Sequence, residues 1–286
     1  MKNYIVLFLF VFGIAIAQKP KSNEILFTLG TKYENAEVIF VDGHSENGFI
    51  YGFISNKWIE FGNPLSLGFE TLENRLNLTD NSFSFKNTID GTSRNLTQSD
   101  INEVTIIDEK SQSEHYKLMN LKTVNVKGEI IDLNKKAWLP LYKVDKINVY
   151  AYDVMFSDNR SGPSKYAFTV AYLNNPKDNF AINPIDFNRI NLFNLGKIDD
   201  KMIYVLKEVF KDCPEFIKKL NGNPKTVLSD YFKDPQQRKI DKNELKESSK
   251  GLSKQEKKEL EIKLNEKMWV DPYLKLIDDY KKACPN

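Results

Sequence analysis

Histidine, cysteine and net charge are all scarce in this chain, and each shortage removes a class of function. The 286 residues include two histidines, His44 and His115, and two cysteines, Cys213 and Cys284. With two histidines and no closely spaced pair of thiols, the ligand spacing of a zinc site is missing. Lys and Arg number 41 against 39 Asp and Glu, a formal charge of +2. A chain so balanced lacks the strongly basic face of a nucleic-acid binder, so no nucleic-acid partner is expected. There is no G-x-S-x-G nucleophile turn, no phosphate-binding P-loop and no G-x-G-x-x-G fingerprint, which removes the usual signatures of acyl transfer and nucleotide use. No repeat of solenoid period is present. No catalytic, cofactor-binding or metal-binding residue is assigned from the sequence, and no cofactor is expected.

What is present begins with MKNYIVLFLFVFGIAIAQ. Lys2 supplies a positive start, Ile5 to Ile16 an apolar run of about a dozen residues, and Ala15-Ile16-Ala17 a small-x-small cleavage site. The run is well short of the ~20 residues that span a bilayer. Residues 1–17 are therefore expected to be a signal peptide cleaved after Ala17, and the protein to be periplasmic or secreted. No later stretch is apolar and long enough to make a transmembrane segment.

Residues 18–195 read as a β-rich domain, with a possible division into two sub-sheets near residue 120. Short apolar runs such as Glu37 to Val41, Phe49 to Ile54, Trp58 to Phe61 and Val104 to Ile107 are separated by turn residues. Asp42-Gly43 and Asn47-Gly48 are strong hairpin signals. Ile147 to Phe156 and Tyr166 to Leu173, around a Ser161-Gly162-Pro163-Ser164 turn, read as a long antiparallel hairpin. In its second strand Tyr166, Phe168, Val170 and Tyr172 alternate with Ala167, Thr169 and Ala171, as a strand packed on both faces would.

After a connector over 174–196, punctuated by Pro176, Pro184 and Gly196, the apolar period becomes helical. Residues 196–286 read as a small helical domain. Met202, Val205, Leu206, Val209 and Phe210 mark its first helix, capped by Asp199 or Asp200 and ending near Asp212. A second helix starts at Pro214, where a missing N–H costs nothing. Val227, Leu228, Tyr231 and Phe232 mark a third. Ser253 and Glu256 form a capping box inside a charged segment, 236–267. A last helix is expected to begin at Asp271-Pro272 and run to Cys284.

The two cysteines, each followed by proline, carry the clearest signal. In an oxidising compartment they read as a structural disulfide, Cys213–Cys284. Closing a loop of about 70 residues would restrict the unfolded chain by roughly 4 kcal/mol in the entropic account. A redox pair is the alternative, though that chemistry favours closely spaced cysteines. The Asp42 to Gly48 stretch, with His44, is faintly like a calcium loop but lacks its glutamate, and a plain turn is the simpler reading. His115 is expected at the surface. Acid pairs such as Asp199-Asp200 and Asp278-Asp279 are ordinary for a chain so charged. Tyr142, Tyr150, Tyr152, Tyr166, Tyr172, Trp58 and Trp138 either fill a β core or form a sugar-stacking platform, with the core favoured.

Several short motifs together resemble a group of exported proteins of Bacteroidetes-type bacteria. These are Val38-Ile39-Phe40-Val41-Asp42-Gly43 with Gly48-Phe49-Ile50, Ser99-Asp100-Ile101 before Val104-Thr105-Ile106, Phe210-Lys211-Asp212-Cys213-Pro214, and Tyr280 ahead of Cys284. The long charged segment 236–267 departs from that group. The resemblance implies the two-part layout and the cysteine pairing, and it carries over no catalytic residue.

The fold expected is α+β: an antiparallel β-rich portion followed by a small, disulfide-fastened helical portion. The function expected is that of an exported, non-enzymatic periplasmic or cell-envelope protein, a binding module for an envelope protein or surface polymer. The alternatives are a hydrolase-like enzyme with a dispersed carboxylate site, recognisable by a cleft holding acids of raised pKa, or a purely structural envelope component.

Overall fold

The computed structural model describes residues 32–53, 57–61, 76, 82–107, 113–125, 127–156, 165–185, 198–232 and 243–285. Residues 1–17, read from the sequence as a signal peptide, the segment 161–164 expected to turn, Pro235 and the first residues of the charged segment lie outside them.

Eleven strands form one sheet: β1 (Glu34–Phe40), β2 (Ser45–Tyr51), β3 (Trp58–Phe61), β4 (Phe83–Lys86), β5 (Arg94–Leu96), β6 (Ile101–Ile107), β7 (Ser113–Val124), β8 (Ile130–Lys143), β9 (Asn148–Phe156), β10 (Lys165–Asn174) and β11 (Phe180–Ile182). Their order is β11-β10-β9-β8-β7-β6-β1-β2-β4-β5, and β11 also pairs with β7. Strands β7 to β11 thereby close into a five-stranded barrel, with β6, β1, β2, β4 and β5 extending from it. The purely antiparallel sheet expected from sequence is corrected here. β11 joins β7 in parallel, and so does β3 join β9. The reason is closure: a barrel that must seal with a three-residue strand takes the direction in which that strand arrives.

Alternation along the strands serves a separate core on each face. Tyr150, Tyr152 and Val154 of β9, Val170 and Tyr172 of β10, and Met119 and Leu121 of β7 fill the barrel. Val149 and Ala151, Ala171 and Leu173, and Phe180 and Ile182 point outward onto the helices. The remaining sheet curls around a third cluster in which Phe53 meets Phe83, Tyr116 and Trp138 edge-on. Of the sequence's aromatic set, Trp138, Tyr150, Tyr152 and Tyr172 are thus buried core residues.

The helices are α1 (Ile198–Val209), α2 (Pro214–Leu220), α3 (Pro224–Ser229) and α4 (Lys254–Ala283), with a helical stretch over 243–248 before the last. Helix α1 ends three residues before the expected Asp212, and Asp199 and Asp200 lie in its first turn. Pro214 opens α2, whose N-cap is Cys213. The capping box at Ser253 and Glu256 is formed, but the helix it starts runs for 30 residues through Pro272. The separate last helix expected at Asp271-Pro272 is corrected accordingly. An interior proline costs about 3 kcal/mol, and the buried side chains around it, Val270, Tyr273, Leu276 and Ile277, contribute more at ~1.5–3 kcal/mol each.

Cys213 and Cys284 are bonded, with Cα atoms 6.0 Å apart. Phe210, Phe216 and Tyr280 pack around the joint at ring separations of 5.0, 5.0 and 5.8 Å. Lys146 donates to the Cys284 carbonyl at 2.7 Å, and Lys281 pairs with Asp145 at 2.7 Å. The end of α4 is therefore tied to the sheet as well as to α2. No helix among the described residues is long and apolar enough to cross a membrane.

Candidate functional site

Two barrel strands each share one edge between two neighbours, and a cleft lies at each handover. β10 occupies one edge of β9 along its length. On the other edge β8 pairs with Val149 and Tyr150, and β3 takes over at Asp153, leaving Ala151 and Tyr152 paired with neither. At this gap a cleft of about 260 Å³ is lined by Lys57, Glu114, His115, Tyr142, Asp153 and Glu266, among others.

Asp153 continues the outward-facing series Val149, Ala151 and is 5 % exposed. Helix α4 passes over this face and brings Glu266. The Asp153 backbone N–H donates to the Lys57 carbonyl at 2.8 Å, and its Oδ1 accepts from Thr169 Oγ1 at 2.7 Å. Tyr166 and Thr169 share a hydrogen bond of 2.9 Å beside it. The β9–β10 register shifts between Tyr166 and Phe168, which breaks the simple alternation expected of that strand and turns Tyr166 toward this group.

Burial raises the Asp153 carboxyl to about 7; the Glu266 charge adds to the rise, while Thr169 and Lys57 oppose it. Glu266 is also raised, by burial, against the pull of Lys57 and Lys263. Burial and then the charges of Glu266, Asp271 and Asp153 push the Tyr142 phenol up. Lys57 is engaged with Glu114 at 2.5 Å, and among the described residues no cation forms an ion pair with Asp153 or Glu266. Chemically, the group is a buried acid raised to about 7 beside a second raised acid, opening on a small cleft with an aromatic rim.

Sequence reasoning assigned neither Asp153 nor Glu266. It did state the mark of the hydrolase-like alternative, a cleft holding two or more acids of raised pKa, and the cleft over Asp153 has that mark. His115 is not a plain surface residue. It pairs with Glu103 at 3.0 Å and with the Thr105 hydroxyl at 2.8 Å, and with Lys117 it holds Glu103 down at about 2. In the Asp42 to Gly48 turn, Asp42 bonds His44 at 2.5 Å, and Arg94 and Asn87 hold Glu46 at about 2. These acids serve a hairpin rather than a cation. Among the described residues no three His, Cys, Asp or Glu side chains are grouped to hold a metal.

The fold and site thus define a mixed, closed β-barrel capped by a disulfide-tied helical segment, with an acid cleft between sheet and helix. No protein-family profile, curated protein or solved structure matches this chain.

Proposed function

We propose that the protein is an exported, non-enzymatic component of the periplasm or cell envelope, akin to the Bacteroidetes-type group it resembles, and that its β portion is a binding module. The cleft over Asp153 takes a protonated amine presented by an envelope protein or surface polymer. One observation carries the reading: among the described residues no cation forms an ion pair with Asp153 or Glu266, so the small cleft between them presents carboxyls without a counter-charge of their own. A bound ammonium supplies the missing charge, and Tyr142 at the rim offers an aromatic face to it. Binding draws the Asp153 proton off, so affinity rises as pH increases through 7.

An alkylammonium probe, followed by calorimetry on the whole mature chain, tests this. Binding at pH 8 is expected to fall at least tenfold at pH 5 and to be lost in Asp153→Asn and Glu266→Gln. Equal binding by both variants contradicts it. A second reading, hydrolysis, is favoured by one feature, the poise of Asp153 near neutrality beside another acid. Turnover of aryl glycosides or esters that disappears in both variants would put hydrolysis in place of binding.

A further inference from the structure

The other handover lies on β7. β8 holds one edge of β7. On the opposite edge the ladder to β6 ends at Lys117 and the ladder to β11 begins at Asn120, so neither strand accompanies Leu118 and Met119. A cleft of about 440 Å³ opens there, lined by Val41, Asn102, Lys117, Asn120, Lys136 and Asn179, among others. Its chemistry is the opposite of the first. Lys117 pairs with Glu103 at 2.8 Å, and Asp178 pairs with Lys211 at 2.9 Å, so both cancel. Lys136 has no acid partner among the described residues.

The position of Lys136 is set by an irregularity. The β7–β8 register shifts between Asn120 and Lys122, and Asn134 on β8 adopts a positive φ of 52° while its N–H donates to Asp132. Asparagine tolerates that conformation better than most residues. After this bulge Lys136 faces Asn120 across the ladder. The Asn102 and Asn179 side-chain amides, both on exposed residues, have no hydrogen-bond partner among the described residues. Val41, 55 % exposed, adds an apolar surface at the rim.

We propose that this cleft binds a uronic-acid residue of a surface polysaccharide. The Lys136 ammonium pairs with the sugar carboxylate, and the Asn102 and Asn179 amides bond the ring hydroxyls as donor and acceptor together. Val41 lies against the sugar's C–H face. A bare anion would use the lysine alone and leave the amides idle. The inference shares only the exported setting with the amine cleft and uses none of its residues.

Trigalacturonate is the probe, with an uncharged trisaccharide of the same length as the control. NMR shifts on the full mature chain should localise to Asn102, Asn120 and Asn179. Lys136→Gln should weaken binding about twofold to fivefold, the scale of an exposed ion pair, and raised salt should weaken it too. Glu266→Gln should leave it unchanged, which separates a failure here from a failure of the amine reading. No shift with the acidic trisaccharide, equal binding of the neutral one, or indifference to Lys136→Gln would each overturn the proposal. Lys136 is exposed, so the variant is expected to fold, and a thermal melt checks that it does.

Discussion

Asp153 works against the fold that holds it. Burial holds the folded Asp153 carboxyl at a pKa of about 7, whereas an unfolded aspartate releases its proton near the ordinary 3.8. Between those values the native state binds more protons than the unfolded one, so raising the pH destabilises. A rise of about three pKa units corresponds to roughly 4 kcal/mol, fully felt above pH 7 and absent below pH 4. Asp153→Asn keeps an acceptor for Thr169 and removes the charge. The variant should gain about 2–4 kcal/mol at pH 8.5, worth roughly 4–16 °C in Tm, and gain nothing at pH 4. Equal melting of variant and parent at pH 8.5 would show that the carboxyl is not held neutral. Glu103, near 2 beside His115 and Lys117, acts in the opposite sense. Its stabilisation is present above the ordinary glutamate pKa and lost as pH falls through 4 toward 2. Asp153 was not legible in the sequence, because INVYAYDVMF reads as an ordinary strand with Asn148 and Asp153 as its two polar positions. Its burial depends on Glu266 and α4, more than a hundred residues further along.

Among the elements, α4 and its disulfide carry the closure of the helical part. The cysteine pairing was legible because two thiols in a chain read as exported have few other fates, and their joint at Pro214 marks itself by proline. Helix α4 was not legible as one piece, because the local rule for Asp271-Pro272 favours a start. What keeps the helix continuous is tertiary: Val270 and Tyr273 on either side of the proline are both buried in the core shared with the sheet. Parallel closure by β11 was equally hidden, since Phe-Ala-Ile is too short to carry a pattern. The β9–β10 hairpin, long and rich in aromatic and β-branched residues, was plain. The bond at Cys213–Cys284 closes a separation of 71 residues. Cys284→Ser should therefore cost up to about 4 kcal/mol, or roughly 8–16 °C in Tm. A melt unchanged by that substitution would mean the aromatic packing and the Lys146 and Lys281 contacts hold the end of α4 unaided.

At the scale of the whole molecule, one sheet serves three cores and yields two clefts where a strand changes partners. Residue 120, marked in the sequence as a possible division, lies inside β7 at one of these handovers. The barrel's own interior is filled with tyrosine, valine and leucine, so functional groups collect outside it, at the gaps in pairing. The gap on β9 places acids under a helix, and the gap on β7 leaves an ammonium and amides at the surface. On the proposed reading, the β9 gap holds an acid poised to accept a cation. The most direct test is to titrate the Asp153 carboxyl carbon by NMR in the mature protein, alone and with saturating alkylammonium. A midpoint of about 7 is expected alone, falling by more than about one unit with the amine, at about 1.4 kcal/mol per unit. A midpoint near the ordinary ~4 for aspartate, or one near 7 that the amine leaves in place, would contradict it.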